Sequence, residues 1–262
     1  MATPKNRHPA HEALRERWTR TLLAVRRPEA ELPAGTPSPY AYADDLLARW
    51  AEPHRRYHTT DHLIAVLDRV GLLSAHCSGP EEVATVSLAA WFHDAVYLPE
   101  RSTNEERSAR LAERALPEAG VSPAPAAEVA RLVRLTAGHD PAPGDTGGEV
   151  LCDADLAVLA GSPREYAAYA AAVRAEYDFV PDDAFRAGRA EVLRRLLDLP
   201  ALFRTHYGRE HWERTARRNL ETELELLSAG ESGAADGRAD GRTGGRADGG
   251  EARDAGGGKD ST

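Results

Sequence analysis

The chain has 262 residues with 33 basic and 42 acidic side chains, a formal charge of −9, 42% hydrophobic residues and 29% charged ones. That is ordinary globular usage with enough apolar surface for a core, and the acidic balance speaks against nucleic acid or an anionic membrane as the main partner. No apolar run approaches the ~18 residues of a membrane span, and Met1–Ala10 is polar, so the expected compartment is the cytoplasm. Two cysteines, Cys77 and Cys152, furnish neither a disulfide framework nor a thiolate zinc site, which leaves His and carboxylate as the donors for any metal.

In chain order the apolar periodicity predicts helices over about 11–26, 40–51, 58–75, 81–97, 104–116, 125–137, 150–160, 163–178, 183–198 and 209–228, with no strand signal. Ser102 with Glu105 and Thr103 with Glu106 read as overlapping capping boxes, and Ser162-Pro163-Arg164-Glu165 reads as another, with Pro163 at the first helical position. The Pro-rich stretches 28–39 and 117–125 and the Gly-rich stretch 141–149 read as connections. Half of the 22 glycines fall after Ala229, in a stretch without aromatic or branched aliphatic residues that carries five basic and seven acidic side chains. Such a segment cannot offset its own ordering entropy. The expectation is an all-α chain: a flexible N-terminus over 1–10, one helical domain over 11–228, and a disordered Gly/Ala/Asp/Arg-rich tail over 229–262.

Three elements carry chemistry. His58 and His62 are four apart, so on one helix both imidazoles project from one face. His93-Asp94 closes the apolar run Val83–Phe92, where an uncompensated carboxylate is costly and a divalent cation would compensate it. Asp153 and Asp155 sit two apart inside the apolar stretch Leu151–Leu159; such positions do not share a helix face, so one points to the site while the other caps or orients. A single histidine on an apolar helix is ordinarily a hydrogen-bonded core or surface residue. Three such elements together supply neutral imidazoles and carboxylates, donors that suit Mn, Mg, Fe, Co or Zn.

His62, His93-Asp94 and Asp155 resemble the metal-ligand set of the HD superfamily of metal-dependent phosphohydrolases. The likeness to the bacterial predicted HD phosphohydrolase branch runs over about residues 11–228, through Arg56-Tyr57-His58, Trp91–Tyr97, Asn104–Ala109, Asp153–Ala157 and Ala216–Leu220. His58 and His62 are also similar to the first motif of cyclic-nucleotide phosphodiesterases, with Thr59 standing where that motif has Asn; Tyr97 stands where several HD enzymes have a further His. The resemblance implies an HD-type helical domain with His62, His93, Asp94 and Asp155 as metal ligands, one or two divalent ions, and His58 as the acid for the leaving group. It makes Glu105 a group orienting the attacking water, although capping alone would explain that residue.

His139 and Asp153 are candidates for a second ion, and Arg174, Tyr177 and Arg189 for substrate contact. Tyr166, Tyr169, Val173 and Tyr177 nevertheless have the spacing of a core face. The implied activity is hydrolysis of a phosphate mono- or diester of a nucleotide or nucleotide-like small molecule. Alternatives within the same resemblance are a di-iron HD-type oxygenase and a non-catalytic nucleotide- or metal-binding regulatory module. The oligomeric state is not legible.

Overall fold

The computed structural model describes residues 7–26, 32 and 35–236. Among them the chain forms eleven α-helices: α1 His11–Val25, α2 Pro39–Trp50, α3 Thr60–Leu72, α4 Pro80–Phe92, α5 Asn104–Glu118, α6 Pro123–Leu135, α7 Thr146–Leu156, α8 Pro163–Glu176, α9 Asp182–Asp198, α10 His206–His211 and α11 Glu213–Asp236. No strand is present among the described residues; Arg26 and Val121 form an isolated bridge. Contacts divide the chain into a body, 1–224, and a second unit, 225–262, whose described part is the helical stretch to Asp236. No helix among the described residues is long and apolar enough to cross a membrane.

Helix α4 is the axis of the body. It is apolar on every side, with Ala84, Val86, Leu88, Ala89, Ala90, Trp91 and Phe92 all buried, and a helix hydrophobic all round belongs in the interior. Helices α1, α3, α5, α6 and α7 pack against it. Trp18 of α1 meets Trp91 and Phe92 edge-on, with ring centroids 5.4 and 5.9 Å apart, an arrangement favoured by the ring quadrupole. Burying the C-terminal end of α4 brings the residues after Phe92 into the middle of the molecule, beside α3 and α7.

The boundaries depart from the expected ones in places that matter. Helix α3 begins at Thr60 rather than 58, so His58 lies in the segment that precedes it. The expected long final helix is two, broken between His211 and Glu213, and α11 runs on to Asp236. Residues 229–236, assigned to the tail from their composition, are therefore helical, while the rest of that expected tail, 237–262, and the first six residues of the N-terminal segment lie outside the described residues. Gly147 and Gly148 sit in the first turn of α7 instead of a loop, where the Asp145 side chain accepts a hydrogen bond from the Gly148 amide. The capping box at Ser162 and Glu165 is formed. Those at Ser102 and Thr103 are not: Thr103 makes no side-chain cap, and Glu106 turns to Arg110 and Arg134. Asn104 ties that connection instead, accepting from the Leu98 amide and donating to the Leu98 and Arg101 carbonyls.

Asp153 is fully buried and serves the fold. Its carboxylate accepts from the Arg204 and Thr205 amides, each at 2.8 Å, and from the Thr205 hydroxyl at 2.7 Å, and Thr205 in turn caps α10 through the Gly208 amide. A Cβ added at Gly208 would lie 2.5 Å from Asp153 Oδ2 and 2.7 Å from Phe203 Cβ. Gly208→Ala therefore reverses the usual gain of about 1 kcal/mol for alanine in a helix. Overpacking typically costs about 1–3 kcal/mol, and the expected result is a Tm lowered by several degrees, about 2–4 °C per kcal/mol at this chain size. An unchanged or raised Tm in a thermal melt would contradict the buried carboxylate network.

Candidate metal centre

Four donors converge where α3, the end of α4 and α7 meet. His62 points inward from the first turn of α3, His93 caps the C-terminus of α4, Asp94 follows in the turn, and Asp155 is in the last turn of α7. The His62 and His93 Nε2 atoms are 3.2 Å apart. Asp155 Oδ1 lies 3.1 Å from His62 Nε2 and 3.7 Å from His93 Nε2, and Asp94 Oδ2 lies 3.2 and 3.9 Å from His93 and His62 Nε2 respectively. Donors held ~2.0–2.2 Å from one cation are ~3.0–3.5 Å apart at octahedral or tetrahedral angles; the His62–His93, His62–Asp155 and His93–Asp94 separations fall in that range, and the His93–Asp155 and His62–Asp94 separations are wider. His62, His93 and Asp155 bring three ligand atoms within 4.8 Å of one another, a group that could hold a metal ion.

A backbone hydrogen bond orients the His93 imidazole for this. His93 Nδ1 is 2.8 Å from the Ala90 carbonyl oxygen, to which it can only donate, so in the neutral ring the Nε2 lone pair faces His62, Asp94 and Asp155. The Trp50 ring packs against both imidazoles, 5.3 Å from His93 and 6.1 Å from His62, and is anchored by its indole N–H to the Trp91 carbonyl at 3.1 Å. Two nitrogen lone pairs at 3.2 Å beside two carboxylates require a cation or a proton between them. The titration behaviour has the same sense. Burial disfavours charge on His93, but Asp94 and Asp155 outweigh it and raise its pKa well above the usual value. Burial disfavours charge on both carboxylates as well, yet His93 together with His58 holds Asp94 low, and His93 with His139 and His62 holds Asp155 low. For His62 burial prevails over Asp155 and the pKa falls. Among the described residues neither carboxylate has an arginine or lysine within 4.0 Å; Arg69 donates to the Ala154 carbonyl instead.

His58 stands next to this cluster, with Nε2 3.9 Å from Asp94 Oδ2 and its ring 5.7 Å from that of His62. The expected helix register does not put it there, because His58 precedes α3. Glu176, the last residue of α8, does. Its buried carboxylate accepts from the backbone amides of Arg56, Tyr57 and His58 at 2.8–2.9 Å, from the Tyr97 hydroxyl at 2.8 Å, and lies 2.7 Å from His58 Nδ1. Burial opposes its charge, but His58 and these amides win and hold it at about 2. A carboxylate so held only accepts, so His58 Nδ1 carries a proton. The His58 pKa rises against its burial through Asp94 and Glu176. Arg55, buried between the Trp50 and Tyr97 rings, fastens the same segment to the turn after α4 by donating to the His58 and Asp94 carbonyls at 3.0 and 2.9 Å. Spacing could reveal neither partner; the only local signal is a Glu and an Arg inside otherwise half-buried stretches.

A polar cleft of about 350 Å³ opens over the centre, bordered by His58, Asp94, Glu105, His139, Asp155 and Tyr177, with Arg101 at its edge. Glu105 therefore faces the cleft, and the capping role that would have explained it is not observed. His139, held at a φ of +51°, bonds Asp155 Oδ2 at 2.8 Å. Three sequence candidates stand elsewhere. Asp153 turns away into the network described above. Arg174 clamps the turn between α8 and α9, pairing with Asp182 and the Tyr177 and Val180 carbonyls. Arg189 is locked to Glu223 by two bonds of 2.8 and 2.9 Å. Of the expected core face, Tyr166 and Val173 are buried, while Tyr169 and Tyr177 are half-exposed. Comparison with family models, curated proteins and solved structures finds no match for this chain.

The two aspartates of α7 thus separate by role. After dialysis against Mn(II) and removal of free ion, elemental analysis should find metal in the wild type and in Asp153→Ala, and at least a tenfold loss in His62→Ala and Asp155→Ala. Asp153→Ala should instead melt lower, since it leaves buried amides unpaired at a cost of about 1–3 kcal/mol. Equal metal content in Asp155→Ala and the wild type would remove the assignment.

Proposed function

We propose that the chain is a metal-dependent phosphohydrolase of the HD type, in which His62, His93, Asp94 and Asp155 hold a divalent cation such as Mn, Mg, Fe, Co or Zn. The observation that carries this reading is the convergence of four metal-suited donors beside a histidine whose second nitrogen is fixed by a buried carboxylate. A cation at this centre supplies Lewis acidity toward phosphoryl oxygens and makes water a usable nucleophile near neutral pH. The rest of the chemistry falls to the chain. His58, with Nδ1–H committed to Glu176, presents Nε2 toward the cleft and, when protonated, donates to the departing oxygen; Glu176 acts through it as a positioning residue, the part a buried carboxylate plays behind a catalytic imidazole. Glu105, facing the cleft without a capping partner, is placed to orient water and accept its proton. Arg101, which makes no ion pair among the described residues, is the cation available to a phosphate oxygen at the cleft edge. The substrate is a small phosphate ester, and the resemblance favours a nucleotide or nucleotide-like molecule.

The test separates acid from ligand. His58→Ala should keep its metal and lose turnover by ~10²–10⁴ on an alkyl phosphate. The deficit should shrink on a p-nitrophenyl ester, whose leaving group needs no proton in the transition state. Loss of metal in His58→Ala, or an equal deficit on both esters, would remove His58 as the acid.

A further inference from the structure

A second cavity, of about 490 Å³, adjoins the polar cleft and shares two of its walls, His58 and Tyr177. Its character is opposite. Tyr57, Tyr169, Tyr177 and Phe185 supply aromatic walls, Val173, Val180, Ala184 and Val192 aliphatic ones, and Gly188 leaves a gap in the α9 side. Tyr57 and Tyr169 meet edge-on at 4.7 Å. Phe179 stacks on Tyr177 at 6.0 Å and, with Val192, remains exposed, at 50% and 40%. Apart from His58 the one ionisable cation of the lining is Arg189, and its buried guanidinium is paired with the Glu223 carboxylate through two bonds and donates to the Tyr169 hydroxyl, so its charge is already neutralised within the fold. The volume suits a small-molecule subsite, ~300–1,000 Å³, lined mostly by apolar and aromatic side chains.

We infer that this cavity takes the alcohol portion of the substrate, and that this portion bears a planar, uncharged aromatic group. The inference rests on the phosphohydrolase reading for its orientation: the phosphoryl group belongs on the polar side with the metal ligands and Arg101, and His58, standing on the shared wall, protonates the oxygen that links the two halves. Ester cleavage by water then breaks the phosphorus–oxygen bond, transfers hydroxyl to phosphorus, and releases the aromatic alcohol with the proton from His58. Aromatic walls favour flat rings over flexible chains because stacked and edge-on contacts add to burial. Few free polar groups face the cavity, so shape and apolar contact rather than hydrogen bonding set the preference.

Gly188 gives a clean way to close the cavity. A Cβ there meets no atom within 4 Å, and its φ lies outside the left-handed range, so α9 accepts a larger residue. Gly188→Phe fills the space and Val192→Asp places a charge at its exposed rim, both away from the metal donors. Binding of 1-naphthalenemethanol to metal-free protein should be at least tenfold weaker in either variant than in the wild type, and 1-octanol should bind the wild type more weakly than the naphthyl alcohol. With Mn(II), kcat/KM for 1-naphthylmethyl phosphate relative to ethyl phosphate, two esters of similar leaving-group pKa, should fall at least tenfold in the variants, while metal content and ethyl phosphate hydrolysis stay at wild-type levels. Equal binding of the naphthyl alcohol in wild type and both variants, or preference for octanol, would overturn the assignment. Binding that is lost in the variants without hydrolysis of any ester would overturn the hydrolase reading and the leaving-group role, and would leave the aromatic subsite standing.

Discussion

Negative charge in a confined place governs this molecule. Asp94 and Asp155 are carried by the end of α4 and by α7 to within 3.1–3.9 Å of the two imidazole nitrogens of His62 and His93, in surroundings where burial penalises every charge they bear. Arginines are plentiful in the chain, yet among the described residues none pairs with either carboxylate. The positive charge that such a cluster needs must come from protons on the imidazoles or from a bound cation, and the orientation of His93, with its other nitrogen committed to a backbone carbonyl, suits the cation. The apolar girth of α4 and the Trp50 plate behind the imidazoles are what keep water from diluting this demand.

The same constraint is answered a second time at His58. Here a single carboxylate, Glu176, gathers three amides, a phenol and an imidazole, and so fixes a loop that has no helical register of its own. One side of the ring is thereby occupied and the other faces the cleft. The aromatic cavity begins on the next wall, since His58 and Tyr177 line both it and the polar cleft that Asp94 and Asp155 border.

The helical class and most helix positions were legible because the apolar period is clear in α2, α3, α5 and α6 and because capping and breaking residues mark others, whereas α4 reads as a continuous apolar run. His62 could be singled out by its spacing from His58, His93-Asp94 because the pair closes an apolar run, and Asp155 by an acid inside an apolar stretch together with the resemblance, and the structure brings the four side chains close to one another. His58 does stand beside His62, but not on a shared helix face as the spacing of four implied: its place is set by Glu176, 118 residues away, and long-range partners leave no mark in local periodicity. Local pattern said of Asp153 and Asp155 only that they cannot share a face, and the resemblance chose Asp155; in the structure the Thr205 segment claims Asp153. The Ser102 and Thr103 boxes failed because Asn104 and the Arg110–Arg134 pair offer competing partners for that turn. Composition set the start of the tail at 229, and α11 as assigned runs on to Asp236.

The account stands on a cation doing the work at this centre, and a metal titration of the chelator-stripped protein tests that most directly. Mn(II) would be added in increments while hydrolysis of p-nitrophenyl phosphate and bis(p-nitrophenyl) phosphate is followed at 405 nm. Hydrolysis of at least one ester should be lost on stripping and return linearly, with a break at one or two equivalents per chain. Hydrolysis that survives chelation, or a saturated metal site with neither ester cleaved, would contradict it.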